Sequence, residues 1–392
     1  PGPGVGGAKT SLYYILKNSP SDQKSHVVLS RPANIKYKNK ISDYTKNIYY
    51  LNLPTWQKFK RNGIIQNFKI PFSNIKRLLS FIPSIIKLAR IIKREKIQIV
   101  HTNSGISPVG ALASYIVNIP HVWHIREPIG NKREYSLIFG DLISRFIINL
   151  TSKSIICNSN YTSLFFNDKS RNLHIIQNGL EIENFQSNDA RRKGNQLRQE
   201  LIGNTESLSI GMVGNIMPLK KHNIFLMAAK QINNLYPTCS FCIFGSLSKE
   251  RIYENSYAAS LQKTAQKMKI DDKLIWVDFI NDIPSIFHSI DILIHPASDE
   301  GSGRVVMEAM SSGKPVIGIY SGGVKELIKN GINGYLVPID NISEIVDRVQ
   351  FLIENSNERK LIEEQAVKYS KENFSSKQTM DSIIKVYKKL LN

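Results

Sequence analysis

The 392-residue sequence predicts an α/β protein built from two doubly wound domains with a ligand cleft between them. Short apolar strands alternate with helical stretches, which is typical of parallel sheets covered by helices. The chain also exceeds the length at which a single core stops growing. The strands fall into two series separated by the polar segment 183–207, so each series predicts one sheet. Ligands of such sheets bind at the carboxyl ends of the strands.

Each series contains six predicted strands. The first is HVVLSR, IYYLNL, IQIVHTN, HVWHIRE, SIICNS and LHIIQNG, ending at Gly179. The second is LSIGMVG, CSFCIFG, LIWVDF, ILIHP, PVIGI and GYLVP, ending at Pro338. We therefore expect a first domain over 1–182, a linker over 183–207, a second domain over 208–368 and a C-terminal helix over 369–392 that crosses back to the first domain.

The opening stretch PGPGVGGAKTSLYYIL carries a glycine turn, Gly6 and Gly7, that leads into a helix. No strand precedes this turn, although a doubly wound sheet normally places its first strand there. We expect the natural chain to begin earlier, with a short apolar strand before Pro1. The glycine pair fits a bare turn and a phosphate-facing loop equally well.

The composition indicates an ordinary globular protein, because 42% of the residues are hydrophobic and 21% are charged. Three cysteines are too few for a disulfide framework and suit a reducing compartment. Cys239 and Cys242 have redox-motif spacing, but they lie in an apolar strand, which favours buried thiols over a metal or redox pair. No signal peptide or membrane span is evident in the sequence.

The charge is strongly basic, with a net charge of +20, and most of the excess lies in residues 31–96. This distribution predicts an anionic partner surface. Within it, segment 74–96 shows two apolar helical stripes. One, assigned to the core, is Ile75, Leu78, Leu79, Ile82, Ile86 and Ala89; the other, assigned to a membrane, is Phe81, Ile85, Leu88 and Ile92. Basic residues flank both stripes, namely Lys76, Arg77, Lys87, Arg90, Lys93 and Arg94. We predict peripheral docking on an anionic membrane, with a merely soluble basic face as the alternative.

The stretch DEGSGRVVMEAMSSGKPV predicts an anion site. A helix is expected from about Gly303 to Ser312, and its first N–H groups and positive dipole end favour a phosphate. Gly301 and Gly303 would let a diphosphate approach closely. Glu308 lies about 7 to 8 Å further along the helix, where a ribose would sit, and a carboxylate accepts hydrogen bonds from both hydroxyls of a vicinal diol. A solvated glutamate is the alternative, but its neighbours are apolar.

On these residues the chain resembles glycosyltransferase family 4, retaining enzymes of the GT-B architecture with two facing Rossmann-like domains. The resemblance covers nearly the whole chain. It implies that the first domain serves the acceptor and the second binds a nucleotide-sugar donor. It implies that Glu308 holds the ribose, that Glu300 contacts the transferred sugar, and that Gly301 and the backbone of Ser302, Gly303, Arg304 and Val305 face the diphosphate and sugar.

GMVGNIMPLKK is similar to the family segment whose arginine and lysine neutralise the diphosphate. Lys220 matches the lysine, whereas Asn215 stands where the arginine is usual, so Lys221 or Arg304 is expected to compensate. In the first half, the resemblance implies that His124 lies near the donor sugar and is catalytic together with Glu300. The remaining candidates are Arg126, Glu127 and His101 on the acceptor side, and Gly6 and Gly7 at the donor phosphates.

The expected reaction is retaining transfer of a sugar from a UDP- or GDP-linked donor to a glycan or lipid-linked hydroxyl. Its expected place is cell-surface polysaccharide or lipopolysaccharide synthesis at the cytoplasmic face of the membrane. The sequence contains no Asp-x-Asp metal motif, so we expect metal independence and no cofactor. Two alternatives stay open: a nucleotide-sugar epimerase, for which no acid and base carboxylates are evident, and a basic nucleic-acid-binding protein, which leaves Glu300, Glu308 and Lys220 unexplained.

Overall fold

The fold is described from a computed structural model. It covers residues 7–30, 35–59, 79–130, 135–166, 172–203, 208–245 and 252–392. Gly6 and residues 74–78 of the predicted docking segment lie outside this range. The chain forms two compact units: an N-terminal unit of Val5–Gly179 with Ser376–Asn392, and a C-terminal unit of Leu180–Ser375.

The N-terminal unit alternates helices and short strands. Its described strands are β1 (His26–Ser30), β2 (Asn47–Leu51), β3 (Gln57–Phe59), β4 (Val100–Thr102), β5 (His121–Ile125), β6 (Tyr135–Leu137), β7 (Ser154–Cys157) and β8 (Leu173–Ile175). Its described helices are α1 (Gly7–Lys17), α2 (Ile35–Ser42), α3 (Phe81–Arg94), α4 (Val109–Ile116), α5 (Gly140–Thr151), α6 (Asn160–Ser163) and, from the end of the chain, α16 (Ser376–Leu391).

Strands β4, β5, β7 and β8 form a parallel sheet in the order β4-β5-β7-β8, and β1 pairs in parallel with β2. Helices α3, α4 and α5 cover one face of the four-stranded sheet, where Trp123 stacks on Trp56 with ring centroids 5.6 Å apart. Helices α1 and α16 cover the other face. All six strands predicted for this half are present. The antiparallel pair β3 and β6 was not predicted, since three residues show no periodicity.

The C-terminal unit contains a six-stranded sheet in the order β11-β10-β9-β12-β13-β14, with every pair parallel. The strands are β9 (Ser209–Val213), β10 (Ser240–Phe244), β11 (Leu274–Val277), β12 (Ile292–His295), β13 (Val316–Ile319) and β14 (Tyr335–Val337). The helices are α7 (Ile182–Gln186), α8 (Asn188–Ile202), α9 (His222–Leu235), α10 (Ile252–Met268), α11 (Ile283–His288), α12 (Arg304–Ser311), α13 (Val324–Leu327), α14 (Ile342–Glu354) and α15 (Ser356–Asn373). This sheet contains all six strands of the second predicted series.

The segment predicted as a linker is instead helical and part of the C-terminal unit. Residues 183–207 contribute most of α7 and α8, and α8 packs on α11. The helix is polar, but Arg198 is buried and its Nη2 lies 2.9 Å from Asp291 Oδ2. Its Gly194 leaves room for the backbone of His288. The segment is poor in apolar residues because its helix packs through an ion pair and a glycine contact, and not because it is a linker.

Helix α3 presents the opposite face to the core from the one predicted. Phe81, Ile85, Leu88 and Ile92 are buried, whereas Leu79, Ile82 and Ile86 are exposed. The assignment was wrong because both stripes are apolar, and periodicity alone does not tell which stripe meets the sheet. The basic residues Lys87, Arg90, Lys93 and Arg94 are exposed, as expected.

The three cysteines are free and buried, in agreement with the prediction. Across the described ranges, no helix has the length and apolarity needed to cross a membrane.

Candidate active site

Two neighbouring strands bring the predicted donor residues of the C-terminal unit together. β9 and β12 run in parallel side by side, so the loops that follow them emerge at the same edge of the sheet. The loop after β9 ends in a 3₁₀ turn, Pro218–Lys220, and the loop after β12 carries Glu300. Lys220 Nζ donates a hydrogen bond to Glu300 Oε1. Residues that are 80 positions apart therefore form one ion pair.

Burial changes the protonation of Lys220 and of the neighbouring His295. It lowers the pKa of Lys220 from its ordinary value to about 8. It lowers the pKa of His295, which ends β12, to about 3, so His295 is neutral near pH 7. His295 Nε2 lies 3.7 Å from Glu300 Oε1. His295 was not predicted from the sequence, although its position in ILIHP, at the carboxyl end of a buried strand, is a usable signal.

A second loop fixes the backbone of Glu300. The Gly323 N–H donates to the Glu300 carbonyl at 2.8 Å, and Ser321 Oγ donates to the Ser298 carbonyl. Gly322 has a φ of +62°, and a Cβ added there would lie 2.6 Å from the Glu300 oxygen. Only glycine allows this approach. The SGG sequence after β13 therefore positions the donor loop, a role that the sequence analysis did not assign.

Helix α12 starts where the sequence predicted, immediately after Gly303, which adopts a left-handed φ of +62°. The first turn of a helix leaves N–H groups without intrahelical acceptors, and its dipole is positive there. Gly301, Ser302, Arg304 and Val305 line this start. The helix start has the geometry that an anion site requires, and anion binding here stays a prediction.

Glu308 lies on α12 with 9% of its surface exposed. The sequence suggested an isolated carboxylate, but Arg304 Nε lies 3.1 Å from Glu308 Oε1. Burial raises the pKa of Glu308, and the adjacent Arg304 partly offsets that rise. The i,i+4 partner was readable from the sequence, since such positions face each other on a helix. Glu308 is therefore a buried carboxylate held in place by a cation of its own helix.

The two residues expected to compensate for Asn215 both have carboxylate partners. Asn215 is exposed on the loop after β9. Lys221 Nζ donates to Asp340 Oδ1 at 2.7 Å, and Arg304 pairs with Glu308. Lys220 is therefore the cation that the structure places beside Glu300. Across the described ranges, no three His, Cys, Asp or Glu side chains form a cluster that could hold a metal ion.

In the N-terminal unit, the strand ends carry a buried polar network around Arg126. Arg126 follows β5 and has 8% of its surface exposed. Its Nε donates to Asn103 Oδ1 at 2.8 Å, and its Nη1 donates to Asn178 Oδ1. Asn158 in turn donates to the Arg126 carbonyl at 3.1 Å. The loops after β4 and β8 therefore hold the guanidinium, and the loop after β7 holds the backbone of the same residue. The amides of Asn103, Asn158 and Asn178 were not singled out from the sequence.

The histidines predicted for the cleft belong to the same network. Tyr387 hydroxyl lies 2.6 Å from His101 Nδ1, and His101 Nε2 lies 3.2 Å from His124 Nδ1. Arg126 Nη2 also reaches His124 Nδ1, at 3.3 Å. An arginine only donates, so His124 Nδ1 accepts and its proton lies on Nε2. The chain of donors then runs from Tyr387 through His101 to His124.

The structure places His124 inside the unit rather than at its surface. The side chain is 1% exposed, and among the described residues nothing bonds its Nε2. Burial lowers the pKa of His124 well below its ordinary value and that of His101 to about 3, so both rings are neutral. Arg126, two residues further along the same strand, continues from His124 to the sheet edge.

Glu127 and Gly7 take simpler positions. Glu127 Oε1 accepts from Ser104 Oγ at 2.6 Å, and Glu127 Oε2 accepts from the Gly105 N–H at 3.0 Å. Glu127 therefore holds the loop after β4. Gly7 is exposed at the first position of α1, and Gly6 is outside the described residues.

Comparison with protein families assigns both halves of the chain. Residues 5–184 match the model described as Glycosyltransferase Family 4, and residues 195–369 match the model described as Glycosyl transferases group 1. Among curated proteins, the chain is 27% identical over 280 residues to UDP-Gal:alpha-D-GlcNAc-diphosphoundecaprenol alpha-1,3-galactosyltransferase of Escherichia coli, covering 69% of this chain and 70% of that protein. It is 23% identical to the capsular polysaccharide biosynthesis glycosyltransferase CapM of Staphylococcus aureus, covering 82% and 84%.

Solved structures show the same fold. Anabaena HepE in complex with UDP superposes with a TM-score of 0.79 at 20% identity, covering 98% of this chain and 97% of that one. A glycosyltransferase from Rickettsia africae gives 0.76 at 18% identity, covering 99% and 96%. With two Rossmann-like units and a family match in each half, the chain is a glycosyltransferase of the GT-B architecture, belonging to glycosyltransferase family 4.

Proposed function

We propose that this enzyme transfers a sugar, with retention of anomeric configuration, from a UDP- or GDP-linked donor to a hydroxyl of a glycan or lipid-linked acceptor. The observation that carries the proposal is the half-buried ion pair of Lys220 and Glu300 beside the start of α12. The relatives support a role in cell-surface polysaccharide or lipopolysaccharide synthesis. One acts on a diphosphoundecaprenol-linked sugar with UDP-Gal, another serves capsule synthesis, and the HepE structure contains UDP.

The C-terminal unit supplies the donor chemistry in this proposal. The diphosphate lies at the start of α12, where N–H groups and the helix dipole stabilise negative charge. Lys220 approaches the same charge from the adjacent loop. Glu308 accepts from the ribose hydroxyls, one and a half turns into the helix. Glu300 exchanges its bond with Lys220 for hydroxyls of the sugar.

The transfer step breaks the bond between the anomeric carbon and the leaving phosphate oxygen. The acceptor oxygen forms its bond to the same carbon on the same face, and its proton passes to the leaving phosphate oxygen. Charge therefore develops on the diphosphate, and stabilising developing charge with prearranged groups is usually the largest catalytic contribution. Lys220 and α12 supply that stabilisation without a metal ion.

In the N-terminal unit we assign Arg126 to contact substrate and His124 and His101 to position it. The neutral side chains of Asn103, Asn178 and His124 fix the orientation of the Arg126 guanidinium without neutralising its charge. His124 lies beneath Arg126 on the same strand, so its catalytic importance acts through the arginine. Glu127 shapes the acceptor side by holding the loop after β4.

The proposed location is the cytoplasmic face of an anionic membrane, next to a lipid-linked acceptor. The exposed basic residues of α3, Lys87, Arg90, Lys93 and Arg94, support this. Each basic residue near an anionic leaflet contributes about 1 kcal/mol, and a cluster of four holds a protein reversibly.

A two-step experiment tests the proposal. A thermal-shift screen of nucleoside diphosphates and their sugars identifies the donor, because a ligand at 100 times its dissociation constant stabilises by about 2.7 kcal/mol. The accepted donor is then incubated with a lipid-linked acceptor, and the anomeric configuration of the product is read by NMR. We expect the configuration of the donor to be kept. An inverted product, or no stabilisation by any nucleoside diphosphate, contradicts the proposal.

A further inference from the structure

Helix α5 presents an entirely apolar face to solvent. Leu142 is 77% exposed, Ile143 54%, Phe146 65% and Leu150 51%. At 100° per residue these four side chains fall within an arc of about 100°. The opposite side, with Ser144, Ile148 and Thr151, is buried. Ile148 packs into the core between two hydroxyl-bearing residues, while four large apolar side chains face outward, which is unusual for a surface helix.

The neighbouring helices extend this face. α4 packs on both α3 and α5, and the three helices cover one side of the sheet. Tyr115 and Ile116 of α4 are 55% and 65% exposed. Single exposed apolar residues are normal, whereas a contiguous patch marks an interaction site. We call the outward face of these three helices the apolar layer.

Helix α3 combines apolar and basic residues on its exposed side. Leu79, Ile82 and Ile86 lie at the start of the helix, and Lys87, Arg90, Lys93 and Arg94 lie towards its end. With 3.6 residues per turn, these seven side chains fall within an arc of about 140° around the helix axis. This arc faces away from the core. The same surface therefore offers apolar contact and positive charge.

We propose that α5 is the element that inserts into the headgroup and acyl boundary of an anionic membrane, with the basic end of α3 bound to the lipid headgroups beside it. Charge complementarity selects this occupant. A second copy carries the same basic residues and offers no anionic partner to those of α3. An anionic bilayer accepts both features at once. The inference rests on the proposed membrane docking and names the residues that perform it.

Vesicle co-sedimentation of the full chain tests the role of α5. One variant combines Leu142→Gln, Phe146→Ser and Leu150→Gln, and a second changes Lys87, Arg90, Lys93 and Arg94 to glutamine. A matched control combines Leu235→Gln, Ile332→Gln and Leu361→Gln, three side chains of the C-terminal unit that are 53%, 53% and 50% exposed. Vesicles of phosphatidylcholine alone are compared with vesicles that also contain phosphatidylglycerol, at low and high salt.

We expect the α5 variant to lose at least about tenfold in partitioning onto anionic vesicles at both salt concentrations, because it loses apolar area rather than charge. The α3 variant should lose the preference for anionic lipid, mainly at low salt. The control should bind as the unmodified protein does. The thermal midpoint should change little in all three, and a dye on Phe146→Cys should shift to the blue with vesicles.

The failures are distinguishable. If the unmodified protein binds anionic vesicles and the α5 variant binds equally well, α5 does not insert and docking through α3 alone stands. If the unmodified protein binds no vesicles, both the inference and the proposed docking are overturned, while donor stabilisation still tests the transferase. If the lipid-free protein is a dimer that the α5 variant converts to a monomer, the occupant is a second copy and the inference is overturned.

Discussion

The two units share one architecture but differ in what they bury and what they expose. The C-terminal unit holds two partly buried charged pairs, Lys220 with Glu300 and Arg304 with Glu308, at the carboxyl edge of its sheet. The N-terminal unit places neutral histidines and amides around Arg126 at the corresponding edge. It also exposes a row of large apolar side chains on α5, whereas such residues are scattered over the C-terminal unit.

The difference fits the proposal that the two units serve two kinds of ligand. Buried charges are costly unless they are paired, and in that proposal a diphosphate and a ribose become partners of the charged groups in the two pairs. In the N-terminal unit, neutral side chains orient the guanidinium of Arg126. They carry no negative charge that would compete with an anionic ligand for it. Donor binding, acceptor use and membrane binding can be measured independently, and together they distinguish the roles of the two units.

The largest effect is expected from Lys220→Ala. Removing the cation beside the leaving diphosphate should lower kcat by about 10²- to 10³-fold, as for the loss of other groups that stabilise developing charge. Lys263→Ala on α10 is the matched control, since that lysine is exposed and remote in sequence from the donor loops. Steady-state kinetics measure kcat of both variants. A near-normal kcat in Lys220→Ala would show that Lys220 does not stabilise the leaving diphosphate.

Glu308→Gln should weaken donor binding by about 1 to 3 kcal/mol, because the ribose hydroxyls then donate to a neutral oxygen. Calorimetry with the nucleoside diphosphate measures the change. Membrane binding should stay nearly unchanged, whereas the thermal midpoint should fall, because Arg304 loses its carboxylate partner. Glu364→Gln on the exposed side of α15 provides the control. Equal donor affinity in Glu308→Gln would assign the ribose to another residue.

The pH dependence should follow Lys220. Burial lowers the pKa of Lys220 to about 8, so its ammonium form is lost as the pH rises through that value. kcat/KM, which reports the free enzyme, should therefore be level near pH 7 and fall about tenfold for each unit well above pH 8. Lys220→Arg should be less active but should keep its kcat/KM level, since arginine stays protonated. If kcat/KM of Lys220→Arg still falls above pH 8 as in the unmodified enzyme, a group other than Lys220 causes the fall.

Arg126→Lys tests the other unit and should have a smaller effect. Lysine cannot reproduce the fork that contacts Asn103, Asn178 and His124. We expect the acceptor KM to rise by roughly tenfold while the donor dissociation constant stays the same. The related change His124→Ala should act in the same direction if the histidine positions Arg126. A weakened donor with normal acceptor KM reverses the assignment of the two units.

The smallest effect expected is that of a chelator, which should leave transfer unchanged. Lys220 and the start of α12 supply positive charge at the proposed diphosphate site. Activity is measured with excess chelator and again after adding a divalent ion. Loss of activity that the ion restores establishes a metal requirement.

The sequence predicted the architecture well because strand periodicity and length are local properties. All twelve predicted strands exist, and α12 begins next to Gly303 as expected. It failed where the outcome depends on what packs against an element. The two stripes of α3 are equally apolar, so only the position of the sheet decides that Phe81 is buried and Ile82 exposed.

The site shows the same limit. Glu308 was predicted from its place on a helix, and Glu300 and Lys220 from the family resemblance, but the sequence did not show that Lys220 and Glu300 pair or that Arg304 accompanies Glu308. It also missed Gly322 and His295, whose importance lies in close approach to Glu300. The face of α5 was overlooked because an amphipathic helix has the same periodicity whichever side meets the core.

Hydrogen exchange of the full chain with two different ligands tests the division between the units most directly. A nucleoside diphosphate should slow exchange at the start of α12 and in the 3₁₀ turn Pro218–Lys220, and should leave α5 unchanged. Anionic vesicles should slow exchange in α5 and α3 and leave the start of α12 unchanged. Protection of α5 by the nucleotide, or of the α12 start by vesicles alone, would contradict the division of donor and membrane binding between the two units.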